Sequence, residues 1–195
     1  MRGPDDWTEP GDWLEGHLFD RRTLVLRGPL DDARATRVAA QLMTLDATGD
    51  DAVHIQLDCA GGSLEAAFAV ADVIDALGVP VHVTCLGRVE GVAALVAAVC
   101  GHRRTAEHTT FRLQDPDAAI EGRSDQLESL VAYHSRSYAR YHERLAAASG
   151  RPVEVIAQAC AAGRYMSAAD AVAFGLIDEV VRSGRAPVRP LPRSG

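Results

Sequence analysis

Lysine is absent from the sequence. All 20 cationic side chains among the 195 residues are arginine. Catalysis through a Ser–Lys dyad, a Schiff base or a P-loop lysine is therefore excluded. Acidic side chains outnumber the arginines, and the formal net charge is −7 at pH 7. This balance argues against non-specific binding to nucleic acid or to an anionic membrane surface.

Closely spaced cysteines and long apolar runs are lacking as well. The cysteines stand singly, with no CxxC pair, at Cys59, Cys85, Cys100 and Cys160. Buried reduced thiols are therefore expected rather than disulfides or a metal centre, and no cofactor is expected. No stretch has the length of a membrane span, and the acidic N-terminus has no apolar signal segment. We therefore expect a cytoplasmic location.

Strands and helices alternate along the first half of the chain. The predicted strands are TLVLRG (23–28), AVHIQLD (52–58) and VHVTCLG (81–87). A helix is predicted after each of them, and Asp31 or Asp32 and then Ser63 can cap the first two. Two shorter β-like runs follow near 103–106 and 110–114. This order predicts βαβ units and a largely parallel sheet.

A long amphipathic helix is predicted from about residue 124 to residue 148. Its apolar positions recur at helical spacing and share one face: Leu127, Leu130, Val131, Tyr138, Tyr141 and Leu145. A helix of this length exceeds what a domain of this size usually buries. We therefore predict that it projects and contacts another subunit, with oligomerisation residues Leu127, Leu130, Tyr138 and Tyr141. Packing within its own chain remains the alternative.

The two ends of the chain differ in composition from the middle. Residues 1–17 are acidic and contain Trp7 and Trp13, which predicts a mobile N-terminal arm. Residues 18–183 are expected to form one domain. Residues 184–195 are rich in Pro and Arg, which predicts a disordered tail.

Two glycine-containing turns follow predicted strands and precede helices. One contains Gly61 and Gly62 (DCAGGS), and the other contains Gly91 (LGRVEGV). Such turns can direct backbone N–H groups at an oxyanion, although a plain tight connection is the alternative. Because both turns follow parallel strands, they should face one crevice. The second turn lies where many hydrolases hold a nucleophile, yet it contains no Ser, Thr or Cys.

Five segments, in order along the chain, resemble the proteolytic subunit of the Clp protease, a serine peptidase of the crotonase-like superfamily. They are GPLDD, QLDCAGGSLEA, CLGRVEGVAALVAAV, RLQDP and RYMSAADAVAFGLIDEVV. The resemblance runs from about residue 18 to residue 183. It implies an α/β fold, a crotonase-like βαβ spiral with a projecting long helix. It also implies assembly into rings and docking of an ATP-driven unfoldase.

The resemblance places the catalytic positions of the family on particular residues. Family members carry a nucleophilic Ser in a Gly-x-x-x-Ser-Met-Gly turn, and that Ser corresponds to Gly91 here. The family His, which precedes a Gln-Pro pair, corresponds to Gln114, and the family Asp corresponds to Gly163. The N–H donors of the oxyanion hole are carried over to Gly62 and Val92.

None of the three catalytic positions holds the side chain that acyl transfer needs. Glycine cannot attack a carbonyl, and glutamine cannot act as a general base at neutral pH. Glycine at 163 has no carboxylate to orient an imidazole. The resemblance therefore implies an inactive homologue, a structural or regulatory subunit of a homo-oligomeric ring or of a mixed ring with an active paralogue. Ala161 and Ala162 stand where many members have an Asp–Arg pair that helps two rings pack.

Two other functions remain open on the sequence. In a crotonase-like acyl-CoA enzyme, Glu90 would act as the base and the Gly62 and Val92 N–H groups would bind a thioester enolate; a solvated turn residue is the plain interpretation of Glu90. The other possibility is a stand-alone scaffold ring. Turnover of an acyl-CoA would distinguish the first of these from the inactive subunit.

Overall fold

The fold was obtained as a computed structural model that describes residues 10–116 and 127–181. Seven strands are found within these ranges: β1 (Thr23–Arg27), β2 (Val53–Ala60), β3 (Val81–Glu90), β4 (His102–Ala106), β5 (Thr110–Leu113), β6 (Arg164–Met166) and β7 (Glu179–Val181). Seven helices accompany them: α1 (Pro10–Phe19), α2 (Asp32–Thr48), α3 (Leu64–Ala76), α4 (Ala93–Ala98), α5 (Leu127–Ser149), α6 (Val153–Ala161) and α7 (Ala168–Phe174).

The predicted α/β fold with a mostly parallel sheet is confirmed. The main sheet has the order β1-β2-β3-β4-β7, and every pair in it is parallel. β5 runs parallel to the end of β3 and pairs with the antiparallel β6. Alternate residues of β2 (Val53, Ile55 and Leu57) point into the core, because successive side chains of a strand face opposite sides.

Strand β3 changes its partner half-way along its length. Residues 82–85 pair with β4, whereas residues 88–90 pair with β5. Between these parts lies Gly87, with φ +56°, where a Cβ would be 2.6 Å from the Asp58 carboxylate. That carboxylate accepts a hydrogen bond from the Arg88 N–H at 3.1 Å. Beyond the irregularity the end of β3 still pairs with β2 on one side, while β5 replaces β4 on the other side.

Side-chain caps begin several helices as the sequence predicted. The Ser63 hydroxyl accepts from the Ala66 N–H at the start of α3, and Ser167 with Asp170 forms the predicted capping box of α7. The hydrogen bonds from Ser167 lower the pKa of Asp170. For α2 the cap is Asp31 rather than Asp32. Pro152 is the N-cap residue of α6.

The buried residues of helix α5 begin at its eleventh residue, and before that the Tyr133 hydroxyl donates to the Glu65 carboxylate at 3.4 Å. Its buried residues are Ser137, Tyr141, Leu145 and Ala146, and none of its first ten residues is buried. The prediction that Tyr141 packs on a neighbouring subunit is wrong, because this side chain is fully buried inside its own domain. Tyr138 is half-buried, and its hydroxyl donates to the Pro116 carbonyl at 2.8 Å.

The predicted ends of the chain lie partly outside the described residues. Residues 10–17 of the predicted N-terminal arm belong to α1, which packs beside β1. Residues 1–9, residues 124–126 of the predicted long helix and the whole predicted tail 184–195 are outside the described ranges. Among the helices within those ranges, none has both the length and the apolar character needed to cross a bilayer.

Three histidines stand side by side at the starts of neighbouring strands. His54 of β2 pairs in register with His82 of β3, which in turn pairs with His102 of β4. Their ring centroids are 5.3 Å and 5.6 Å apart in succession. Burial, followed by the neighbouring His54, His102 and Arg104, lowers the pKa of His82. A proton on this ring therefore binds less tightly in the folded chain than in the unfolded chain.

This shift predicts a loss of stability in acid. As the pH falls below about 6.5, the unfolded chain takes up a proton at His82 before the folded chain does, so the free energy of unfolding decreases. The decrease ends once the pH is below the folded-state pKa. His82→Gln should therefore lose less stability than the parent chain between about pH 8 and about pH 5.5, measured by urea unfolding. His108→Gln, at an exposed turn position, should retain the parent dependence; equal losses in all three proteins would contradict the prediction.

Candidate functional site

Two hydrogen bonds hold the turn around Gly91, one to each backbone polar group of this residue. The turn follows β3 and precedes α4, and the φ of Gly91 is +54°. The Gly91 N–H donates to the Arg112 carbonyl of β5 at 2.9 Å. The Gly91 carbonyl accepts from the Tyr141 hydroxyl of α5, also at 2.9 Å. The turn thus has the strand–turn–helix form of a nucleophile elbow, with no side chain at its tip.

The two predicted oxyanion donors lie at the same edge of the sheet. Register pairs Ala60 of β2 with Glu90 of β3, and Gly62 and Val92 each follow two residues later. Within the described residues, neither the Gly62 N–H nor the Val92 N–H donates to a backbone carbonyl. Gly62 is exposed and Val92 is buried. Their role as oxyanion donors remains a prediction that this placement agrees with.

Gln114 lies directly against the elbow. It follows the last residue of β5, and the β3–β5 ladder brings it beside Gly91. A Cβ placed on Gly91 would be 3.3 Å from the Gln114 Cγ and 3.4 Å from its Nε2. The residues that correspond to the family Ser and His are therefore neighbours in space. What faces the elbow is an amide, which donates and accepts hydrogen bonds but does not carry a proton away.

The third position, Gly163, faces an arginine. In the antiparallel β5–β6 pair Leu113 is opposite Arg164, so one further step places Gly163 opposite Gln114. A Cβ on Gly163 would be 3.2 Å from Nη2 of Arg112. The Arg112 guanidinium lies over the Tyr165 ring, and its buried Nε has no hydrogen-bond partner among the described residues. Sequence reasoning missed Arg112, because only the β5–β6 pairing brings it here.

The crevice therefore combines intact backbone geometry with side chains unsuited to acyl transfer. Of the three predicted catalytic positions, Gly91 has no side chain and Gln114 has an amide. Gly163 leaves a space beside the Arg112 guanidinium. Glu90, the base of the alternative acyl-CoA hypothesis, is half-buried and lies opposite Arg112 in the β3–β5 ladder.

Comparison with known proteins assigns the fold. The family model described as Clp protease matches residues 11–184, which is most of the chain. The chain belongs to the Clp protease family. A curated relative in this family is the ATP-dependent Clp protease proteolytic subunit 3 of Rhizobium etli. The two are 28% identical over 175 residues, a stretch that covers 89% of this chain and 90% of the relative. The predicted resemblance to the Clp proteolytic subunit is thereby confirmed.

The thiols of this Clp-family chain are not poised to act as nucleophiles. All four cysteines are free and buried, as the sequence predicted. Burial raises the pKa of Cys85, raises that of Cys100 to about 12 and raises that of Cys160 to about 12. Since thiolate is the nucleophilic form, none of these three replaces the absent serine. Cys59, whose pKa is also raised by burial, donates from its thiol to the Gly61 carbonyl.

Behind the elbow lies a polar cluster that sequence reasoning did not find. The His142 ring of α5 is 2.7 Å from the Asp115 carboxylate, measured from Nε2 to Oδ1. Cys160 of α6 lies beside this pair, with one donor atom of each of the three residues within 4.8 Å of the others. The three segments are far apart in the sequence and have no common motif. Only the packing of α5 and α6 against the end of β5 brings them together.

Proposed function

We propose that this chain is a catalytically inactive homologue of the Clp proteolytic subunit. It acts as a ring-forming structural or regulatory subunit of an ATP-dependent protein-degradation complex. The observation that carries the proposal is the elbow itself, in which Gly91 presents no side chain and the space where one would stand borders Gln114 instead of a general base. Its partners are copies of itself or an active proteolytic paralogue in a mixed ring, and an ATP-driven unfoldase.

The chemical basis of the inactivity is the loss of covalent catalysis. Acyl transfer by this class of peptidase needs a nucleophile, a base that takes its proton and a group that orients the base. Backbone donors at Gly62 and Val92 would still stabilise an oxyanion. When triad members are removed from a serine protease, such donors and substrate binding leave only about 10³–10⁴-fold acceleration over water. Peptide turnover at that level is undetectable in an ordinary assay.

The proposal of a ring rests on the apolar residues that the N-terminal half of α5 leaves exposed or half-buried. Leu127 and Leu130 are half-buried in the single chain, while Val131 and Tyr133 beside them are 48% and 44% exposed. Large apolar side chains grouped in this way mark an interaction surface. Ala161 and Ala162 are both exposed and uncharged, so a ring-to-ring contact through an Asp–Arg pair has no counterpart here.

The test of inactivity compares this chain with an active paralogue from the same genome. The purified chain should cleave neither model peptides nor casein and should not react with a fluorophosphonate probe, whereas the paralogue should do both. Stoichiometric labelling of any residue of this chain would overturn the proposal. Turnover of an acyl-CoA thioester in the same preparation would instead support the Glu90 alternative. Native mass, measured for the chain alone and for the mixture, separates a homo-oligomeric ring from a mixed ring.

The contact surface on α5 gives a further prediction. Leu130→Glu should lower the native mass of the assembly, because a charge on the proposed contact face must be desolvated when subunits pack. Ser129→Glu, at an exposed position about 100° around the helix from Leu130, should leave the mass unchanged. Both variants should keep the parent melting temperature as dilute monomers to within a few degrees. Equal assembly by the two variants would remove this face from the interface.

Restoring the three family side chains should not restore proteolysis. In the variant Gly91→Ser, Gln114→His and Gly163→Asp, the new carboxylate would lie within reach of the Arg112 guanidinium and pair with it rather than with the new imidazole. A serine would also have to hold a φ of +54°, which costs about 1–3 kcal/mol. We expect a folded protein with less than about 1% of the paralogue's activity. Single substitutions should give none, because triad members act as a unit. Robust peptide hydrolysis or probe labelling would contradict this result.

A further inference from the structure

Three side chains that commonly bind metals meet behind the elbow. Asp115 follows β5, His142 lies on α5 and Cys160 lies on α6. One donor atom from each, a carboxylate oxygen, a ring nitrogen and the sulfur, lies within 4.8 Å of the other two. Within residues 10–116 and 127–181, this is the one group of three such residues with that spacing.

We propose that Asp115, His142 and Cys160 form a binding site for a divalent transition cation, with Zn²⁺ as the representative ion. The site goes beyond the proposed ring function and does not depend on it. The sequence predicted no metal centre because it contains no closely spaced ligand pair. Here the ligands come from three segments that meet only in the fold.

The spacing of the donor atoms suits a small tetrahedral ion. Zn²⁺ binds oxygen and nitrogen at about 2.0–2.2 Å and sulfur at about 2.3 Å, which sets ligand atoms about 3.3–3.6 Å apart. The His142 to Asp115 distance of 2.7 Å must open slightly, and the distances to the Cys160 sulfur, none longer than 4.8 Å, must settle near the same value. These are changes of about 1 Å in the positions of side-chain atoms.

The chemistry of the three donors selects the kind of ion. An imidazole and a thiolate are soft or borderline ligands, whereas Mg²⁺ and Ca²⁺ prefer sites made of oxygen alone. On binding, the Cys160 thiol gives its proton to solvent and coordinates as a thiolate. The carboxylate and the thiolate together balance the two positive charges of the cation.

The three ligands differ in exposure, so that the site is enclosed on one side and open to solvent on the other. The side chains of Asp115 and His142 are 34% and 13% exposed, and Cys160 is 2% exposed. A cation would enter past Asp115, and water would complete a fourth ligand position on that side. Burial and the neighbouring Cys160 and Asp115 raise the pKa of Tyr141, whose hydroxyl donates to the Gly91 carbonyl. Tyr141 therefore connects the surroundings of the ligands to the elbow.

A cation held here would add a third link, through Cys160, to the contact that His142 already makes with Asp115. It would bind the end of β5 to α5 and α6, with Gln114 as the neighbour of one ligand. Because the unfolded chain does not preassemble the three ligands, binding should stabilise the folded state. The expected shift in melting temperature is about 5–10 °C when free Zn²⁺ exceeds its dissociation constant a hundredfold.

The experiment uses the full chain, free of any affinity tag and treated with chelator. Titration with Co²⁺ should saturate at one equivalent and produce both visible ligand-field bands and a near-ultraviolet thiolate-to-cobalt band, and Zn²⁺ should abolish them. Cys160→Ser should remove the thiolate band and weaken binding by at least about 100-fold. Cys100→Ser changes an equally buried thiol at the end of α4 and should leave the spectrum and affinity unchanged.

Two further variants keep the test decisive if Cys160→Ser unfolds. His142→Gln should lose affinity and the Zn²⁺-induced rise in melting temperature while remaining folded in the absence of metal. His82→Gln, which interrupts the row formed with His54 and His102, should bind as the parent chain does. If the parent gives no thiolate band, or if its affinity survives the loss of His142, the proposed site is wrong.

Discussion

Replacing Gly62 by alanine should lower the free energy of unfolding by more than about 4 kcal/mol. A Cβ at Gly62 would lie 2.2 Å from the Leu30 carbonyl oxygen and 2.6 Å from the Leu30 nitrogen. Leu30 cannot retreat, because its N–H donates to the Gly61 carbonyl and its carbonyl accepts from the Ser63 N–H, each at 2.9 Å. The backbone φ of +142° at Gly62 adds strain for any other residue.

The adjacent glycine provides the control for this effect. Gly61 also has a positive φ, +112°, but a Cβ there would meet nothing within 4 Å. Gly61→Ala should therefore cost only the conformational strain of about 1–3 kcal/mol. Urea unfolding of both variants measures the difference. A gap of less than about 1 kcal/mol between them would show that the Leu30 contact is not what fixes this turn.

Truncating Tyr141 should have an effect of similar size. Tyr141→Ala should cost about 4 kcal/mol, since a large, fully buried ring is removed from the contact between α5 and the elbow. Tyr141→Phe should cost about 1–2 kcal/mol, because the Gly91 carbonyl loses its hydroxyl donor while the packing remains. Amide hydrogen exchange around Gly91 should accelerate in both variants, in addition to the loss of global stability.

Tyr133, eight residues earlier on the same helix, provides a control in which the same residue type is removed from an exposed position. It is 44% exposed in the single chain, so Tyr133→Ala should cost less than about 1 kcal/mol in monomeric protein. Comparable losses for Tyr133→Ala and Tyr141→Ala would contradict the assignment of Tyr141 to the core. They would also return Tyr141 to the subunit-contact surface predicted from the sequence.

The architecture was predictable because local signals agreed with one another. Strand-like runs alternate with helices whose start residues are visible in the sequence, as Ser63 and the Ser167–Asp170 box illustrate. Parallel strands joined by helices leave few arrangements for such an order. The partner change of β3 at Gly87 was not predictable, because it depends on the carboxylate of Asp58 in another strand.

The positions around the crevice were predictable only in part. The resemblance identified Gly91, Gln114 and Gly163, and strand register brings them together. Helical periodicity placed Tyr141 on an apolar face, but periodicity does not distinguish a residue's own core from a neighbouring subunit. Arg112 and the Asp115–His142–Cys160 group depend on contacts between distant segments, on which spacing along the chain carries no information.

The contact between Arg112 and position 163 also bears on how this sequence can change over generations. An aspartate arising at 163 would gain a salt bridge with the guanidinium and would be retained for its stability, without any gain in peptide turnover. A serine at 91 or a histidine at 114, arising alone, would supply one member of a triad without the other two. On the proposed function, no single substitution at these positions therefore yields peptide turnover.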